Sequence, residues 1–170
     1  AYGVAAALRR GSARREVIGL SSARHRAFAA SLGVYDRVLE YGDLAAIAAD
    51  TAVVHVDIAG GGQVRAALAE RLGGGFKLDL GVGMTHGRAA GPRPAVRSEM
   101  FFAPAWLLRR GRERGPGFVG ELVAGWQALL GGADSHFRVE RGVGAEAVLA
   151  VHHALVAGGA SPEVAHVLTL

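Results

Sequence analysis

The sequence predicts an α/β fold, a Rossmann-like doubly wound parallel sheet with helices on both faces. Short apolar runs alternate with helical stretches of about ten residues, the pattern of parallel strands joined by crossover helices. The best of these runs, Thr51–Ala59, is dense in β-branched residues and empties into Gly60-Gly61-Gly62. Glycines cluster at the ends of the runs, where such a sheet meets its ligands and where a backbone must approach closely.

Taken in order, Ala1–Arg10 is a run of small and apolar residues with two terminal arginines and Gly11 as a stop, which reads as a helix. It has no initiating Met and no turn signal before it, so the chain is expected to be cut from something longer. Val17–Leu20 is a short apolar strand that stops at two serines. Ser22–Leu32 has helical periodicity and closes at Gly33, Arg37–Glu40 is a second short strand, and a brief Ala-rich helical stretch follows Asp43. After the strand at Thr51–Ala59, Gln63–Leu72 reads as a helix ended by Gly73–Gly75. Phe76–Val82 is a strand, followed by Gly83-Met84-Thr85-His86-Gly87 and a Pro/Gly/Arg loop to Arg97. Met100–Ala103 reads as a strand stopped by Pro104, an Arg-rich helical region follows, and Phe118–Leu130 is a helix. The tail is read as strand (Phe137–Glu140), helix (Ala145–Ala157), turn (Gly158–Pro162) and strand (Ala165–Leu170).

Composition narrows the function classes. A chain of 170 residues that is 51% hydrophobic and 20% charged is long enough for one real core. The absence of cysteine excludes disulfides and thiolate metal sites, and it fits a reducing, cytoplasmic setting. No apolar run reaches membrane-spanning length and no secretory pattern is present, so no membrane partner is expected. The formal charge of +4 comes from scattered arginines, with Lys77 the one lysine. Aromatics make up 6% and are not interleaved with a basic run, which argues against nucleic acid. His152 and His153 are adjacent on a predicted helix, and His55 has no companion at ligand spacing, so no metal site is expected.

The stretch that points to a ligand is Glu16–Arg26. In a doubly wound fold the end of the second strand is where an adenine ribose is read. An acid there would bind both ribose hydroxyls and favour NAD, whereas hydroxyl and guanidinium groups suit the 2′-phosphate of NADP. Ser21, Ser22, Arg24 and Arg26 are on offer, with no acid from Val17 to Asp36. A helix N-cap and a solvated Arg face are the structural alternative, and the cap is expected either way. Asp57 could contact a ribose, or instead accept backbone N–H bonds from Ala59–Gly61 and pin the turn, which is the favoured role. Gly60 and Gly61 would let a cofactor approach.

The run from Val17 through Ala-Ser-Leu-Gly33 to Tyr41 resembles the second strand, helix and third strand of the medium-chain dehydrogenase/reductase superfamily, in its zinc-independent, quinone-reductase-like branch. Leu32-Gly33-Val34-Tyr35-Asp36 departs from that pattern by one inserted residue. Val54–Gly60 resembles the fourth strand with its Asp-x-x-Gly ending, and Glu146–Leu170 resembles the late helix and final strand. More narrowly, Gly19–Arg24, Val56–Gly60, Gly83–His86, Phe101–Pro104 and His166–Leu170 resemble the DUF2855 family, a divergent group of that superfamily.

The resemblance implies that the first strand, its Gly-rich turn and the substrate-binding half precede Ala1. Residues 1–133 would then be the NADP-binding core, and 134–170 a strand–helix–strand returning toward the absent half. The missing strand would leave a gap between the second and fourth strands, unless those two pair abnormally. The resemblance further puts Tyr41 near the 2′-phosphate, a half-buried strand-end aromatic being the equal alternative. It puts Gly83, Met84, Thr85 and His86 beside the nicotinamide, with His86 as the proton-donor candidate, and Phe102 and Ala103 at the carboxamide. It also implies a homodimer through the strand near Glu99–Ala103. The expected function is an NADPH-dependent oxidoreductase that moves hydride to an electron-poor C=C or C=O of a small molecule. The alternatives are a non-catalytic NADP-binding module or a Rossmann-like transferase, which would want an acid at the second strand's end.

Overall fold

The computed structural model describes residues 1–13, 15–59, 61–82, 96–133 and 135–170. It is a mixed α/β chain in which every paired strand is parallel to its neighbour. Helix α1 spans Tyr2–Arg10, and β1 (Ile18–Ser21) leads through a 3-10 turn at Ala23–His25 into α2 (Arg26–Ser31). Then come β2 (Arg37–Glu40), a 3-10 turn at Leu44–Ala46, β3 (Val53–Asp57), α3 (Gly62–Leu72) and β4 (Phe76–Gly81). The remainder is β5 (Ser98–Met100), α4 (Ala103–Arg114), α5 (Phe118–Ala133), β6 (Arg138–Val143), α6 (Ala145–Val156) and β7 (Val164–Thr169).

Three differences from the sequence reading have physical causes. The single helix expected over Ser22–Leu32 begins instead as a 3-10 turn, in which the His25 amide bonds the Ser22 carbonyl at 3.0 Å. Ser22 does occupy the N-cap position, but its hydroxyl makes no cap hydrogen bond, so nothing fixes the α pitch from the first residue. The strand expected over Met100–Ala103 lies earlier, at Ser98–Met100, because Pro104 sits in the first turn of α4, where its missing N–H costs nothing. The third difference is that the sheet is not continuous. Among the described residues the strands form three sheets, β1-β2, β3-β4-β5 and β6-β7, and β1 does not pair with β3. Of the two outcomes expected for that junction, the gap is the one observed.

One core nevertheless serves the first two sheets. Leu44, Ile47, Leu68, Leu72 and Phe76 are buried together, with Ile18, Leu20, Leu39 and Val53 packed against them from both sides of the gap. Helix α3 supplies Leu68 and Leu72 at helical spacing, and full burial of such a side chain stabilises by about 1.5–3 kcal/mol. Its Arg71 reaches the carbonyls of Ile47 (3.1 Å) and Ala45 (3.0 Å), tying the helix end to the turn before β3. At the start of the first sheet, Asp36 accepts from the Val17 amide (2.8 Å) while its own amide bonds the Val17 carbonyl (2.9 Å), which fixes the β1-β2 register. Tyr35 covers Gly19 so closely that a Cβ there would lie 3.0 Å from its ring. Burial of that phenol pushes its pKa up.

The last sheet is joined to the rest by edge-to-face aromatic contacts of Phe137 with Tyr2 (5.6 Å) and Phe28 (5.8 Å). Among the described residues, no helix is long and apolar enough to cross a membrane.

Candidate functional site

The carboxyl ends of the strands gather two clusters. In the first sheet, Ser21 is the last residue of β1, paired in register with Glu40, and its carbonyl accepts from the Tyr41 amide at 3.1 Å. Parallel pairing thus brings Ser21, Ser22, Arg24 and Tyr41 to one edge. Ser21 is buried, Ser22 half-buried, and Arg24 and Tyr41 exposed. Arg24 Nη1 donates to the Gly158 carbonyl at 2.8 Å, a bond between residues distant in sequence. A carbonyl leaves the guanidinium charge uncompensated and uses one of its five N–H donors, so the side chain can still take an anion. Arg26 behaves differently. Its Nε donates back to the Val38 carbonyl at 3.3 Å, and it lines a cavity of about 340 Å³ with Ala23, Ala27, Ala30, Val38 and Glu40. Glu40 is the acid that the sequence reading passed over, because it ends β2 rather than β1, yet register places it opposite Ser21.

In the second sheet, Asp57 ends β3 opposite Gly81 of β4, and its carbonyl accepts from the Val82 amide at 2.8 Å. The Gly81 carbonyl accepts in turn from Phe101 at 2.8 Å, so Phe102 and Ala103 follow directly at the same end. Phe102 is an exposed aromatic at the N-cap of α4, and Ala103 opens that helix. Gly61 is the N-cap of α3. Gly60, Gly83, Met84, Thr85 and His86 lie outside the described residues.

A group of charged side chains that sequence reasoning missed lies between this sheet and α3. His55 Nδ1 and Asp79 Oδ1 are 2.8 Å apart, with their side chains 12% and 5% exposed. Arg65, from the first turn of α3, brings Nε to 3.3 Å from Asp79 Oδ2 and Nη2 to 3.9 Å from Asp57 Oδ2. Its buried Nε, although close to Asp79, does not meet it in hydrogen-bond geometry. The group depends on a register shift. Val53 pairs with Phe76 but Val54 with Leu78, and the skipped residue brings Asp79 opposite His55. Period-two alternation then puts His55 and Asp57 on one face of β3, the face that Arg65 covers. A lone strand histidine and an Asp on the next strand carry no sign of this pairing. The alternation of Asp57 with His55 and the position of Arg65 one turn into the next helix were the signals available.

Fold and site together define a mixed α/β protein of parallel strands whose polar residues collect at the carboxyl ends. The chain belongs to the family described as Protein of unknown function (DUF2855), which it matches over residues 1–161. It matches no curated protein and no solved structure.

Proposed function

We propose that the chain is the nucleotide-binding half of an NADPH-dependent oxidoreductase, akin to the zinc-independent medium-chain reductases, that moves hydride to an electron-poor C=C or C=O of a small molecule. The observation that supports it most is the carboxyl end of β1. Ser21, Ser22 and Arg24 follow closely in the chain there, with the Tyr41 amide bonded to the Ser21 carbonyl, and hydroxyls and a guanidinium are donor chemistry suited to a phosphate monoester. In this reading Ser21, Ser22, Arg24 and Tyr41 hold the 2′-phosphate. The Asp57–Gly61 turn flanks the pyrophosphate and ribose, and Phe102 and Ala103 border the nicotinamide. Arg26 takes a lesser part, since it is turned back onto β2 beside Glu40.

NADPH when bound would supply the hydride, so the protein's task is to orient the donor against its acceptor and exclude water. The same reading completes the sheet. A further strand between β1 and β3 would join the two sheets that share one core, in the order β2-β1-strand-β3-β4-β5, which is the doubly wound arrangement. The outer edge of β5, with Met100 and Phe102 exposed beside it, is the proposed dimer contact.

The test is a fluorescence titration of the native protein with NADPH, with NADH as control, in wild type and Arg24→Ala. Loss of one charge-assisted contact is expected to weaken NADPH about tenfold and leave NADH unchanged. No dinucleotide binding by the wild type, or an equal loss for both cofactors, would remove the reading. Tight NADPH binding without hydride transfer to quinones and enones would make the protein a binding module instead.

A further inference from the structure

We propose that Arg65 is a positioning residue that holds Asp57, the end of β3, and Gly61, the N-cap of α3, in place by bridging Asp57 to Asp79. The first link is Asp79. It is buried between β3 and α3, and with its proton on Nδ1 His55 donates to one of its oxygens at 2.8 Å. That bond orients the carboxylate and leaves its second oxygen facing Arg65 at 3.3 Å. Arg65 thus has an ion-pair partner on β4, the strand that follows its own helix, close but outside hydrogen-bond geometry. The second link is Asp57, where the other arm of the guanidinium lies 3.9 Å from the carboxylate. The third is the backbone, since the Arg65 amide bonds the Gly61 carbonyl at 3.4 Å and closes the first turn of α3 on its N-cap.

One residue therefore ties the end of β3 and the start of α3 to the middle of β4. A buried ion network is weak evidence for stability, because desolvation consumes most of the Coulomb gain, but it is well suited to fixing one geometry. The start of α3 at Gly61-Gly62 gains from such a device, because glycine backbone has little preference of its own. The planar fork of Arg can span two carboxylates, whereas the single ammonium of Lys can approach one closely.

The role of the turn in dinucleotide binding rests on the function proposed above, whereas the clamp itself does not, and the experiment separates them. Hydrogen exchange of backbone amides in the native protein would be compared for wild type, Arg65→Met, Arg65→Lys and Asp79→Asn. The expected result is exchange at least about tenfold faster over residues 58–65 in Arg65→Met and Asp79→Asn, with amides of α5 unaffected and Arg65→Lys in between. Unchanged protection over 58–65, or a loss spread evenly over the chain, would overturn the proposal. If Arg65→Met does not fold, the Lys and Asn variants give the same comparison.

With NADPH and NADH as probes, Arg65→Met should raise both dissociation constants by the same factor, about tenfold, with partial rescue by Arg65→Lys. That differs from Arg24→Ala, which should act on NADPH alone. Unchanged affinities in a variant whose turn has loosened would overturn the binding role of the turn and leave the clamp. A wild type that binds neither dinucleotide would remove the cofactor reading and leave the clamp to be decided by the exchange pattern.

Discussion

Asp79 shows how far a charge at one position can outweigh its count in the composition. It is 4% exposed and flanked by His55 and Arg65, so truncation would leave both without their shared acceptor. Asp79→Ala is expected to destabilise the fold by about 3–5 kcal/mol in chemical denaturation, the cost of breaking a buried pair from one side. Glu99→Ala, which breaks an exposed pair with Arg97, should cost less than about 1 kcal/mol. Equal losses would mean that the network is as solvated as the surface pair. The difference between these two acids was not legible beforehand. Both sit in short strands, and their environments diverge because β4 is the middle strand of its sheet and β5 the outer one, and because the register shift at Val53/Val54 sets Asp79 opposite His55. That Ser21, Ser22 and Arg24 fall at the end of a strand could be read, since the signal is local: an apolar run that stops at hydroxyls and then at a cation. The Arg24 bond to Gly158 could not, because it joins residues whose proximity depends on the whole chain.

At the level of elements, what was readable was whatever period and composition fix within one segment. Arg37–Glu40 is found as read, β3 lies inside its expected run and α3 begins one residue before its own, because β-branched density and glycine stops are local facts. What was not readable is which strands join which. The hairpin of α4 and α5 makes the point in energy. Phe118 begins α5 and is 7% exposed, tilted at 6.0 Å against Trp106, which itself lies 5.7 Å under the Arg110 guanidinium. Eight residues on, Trp126 is 61% exposed. Phe118→Ala should therefore cost about 3–5 kcal/mol by thermal or urea melting, and Trp126→Ala less than about 1 kcal/mol, although tryptophan is the larger residue. A greater loss at Trp126 would show that α5 packs by its other face. The apolar face of that helix, with Val119, Leu122, Val123, Trp126 and Leu130 all exposed, has the spacing of a core stripe without the core.

Over the whole molecule, the gap between β1 and β3 and the bare face of α5 are parts of one condition, a chain with less interior than its length allows. The accessible surface is 11,499 Å², whereas a compact monomer of 17.5 kDa would show about 7,900 Å². By the same scaling the chain buries about 55% of its extended surface, against roughly 70% for a domain of this size. The sequence spoke to part of this, because the resemblance implied that the second and fourth strands would not join. It could not speak to the surface, since the runs that form α5 and α6 look like any core helix until their neighbours are known. The consequence is calorimetric. Since the response to denaturant and the heat capacity of unfolding both scale with newly wetted area, this chain should unfold with an m-value and a ΔCp about one fifth below those of a compact protein of equal length. Calorimetry and urea titration of the 170-residue chain measure both, and full-sized values would show that the exposed apolar faces close on one another in solution. A shallow heat capacity flattens the stability curve. The chain should therefore lose its fold over a broad span of temperature, and resist cold better than its modest core would lead one to expect.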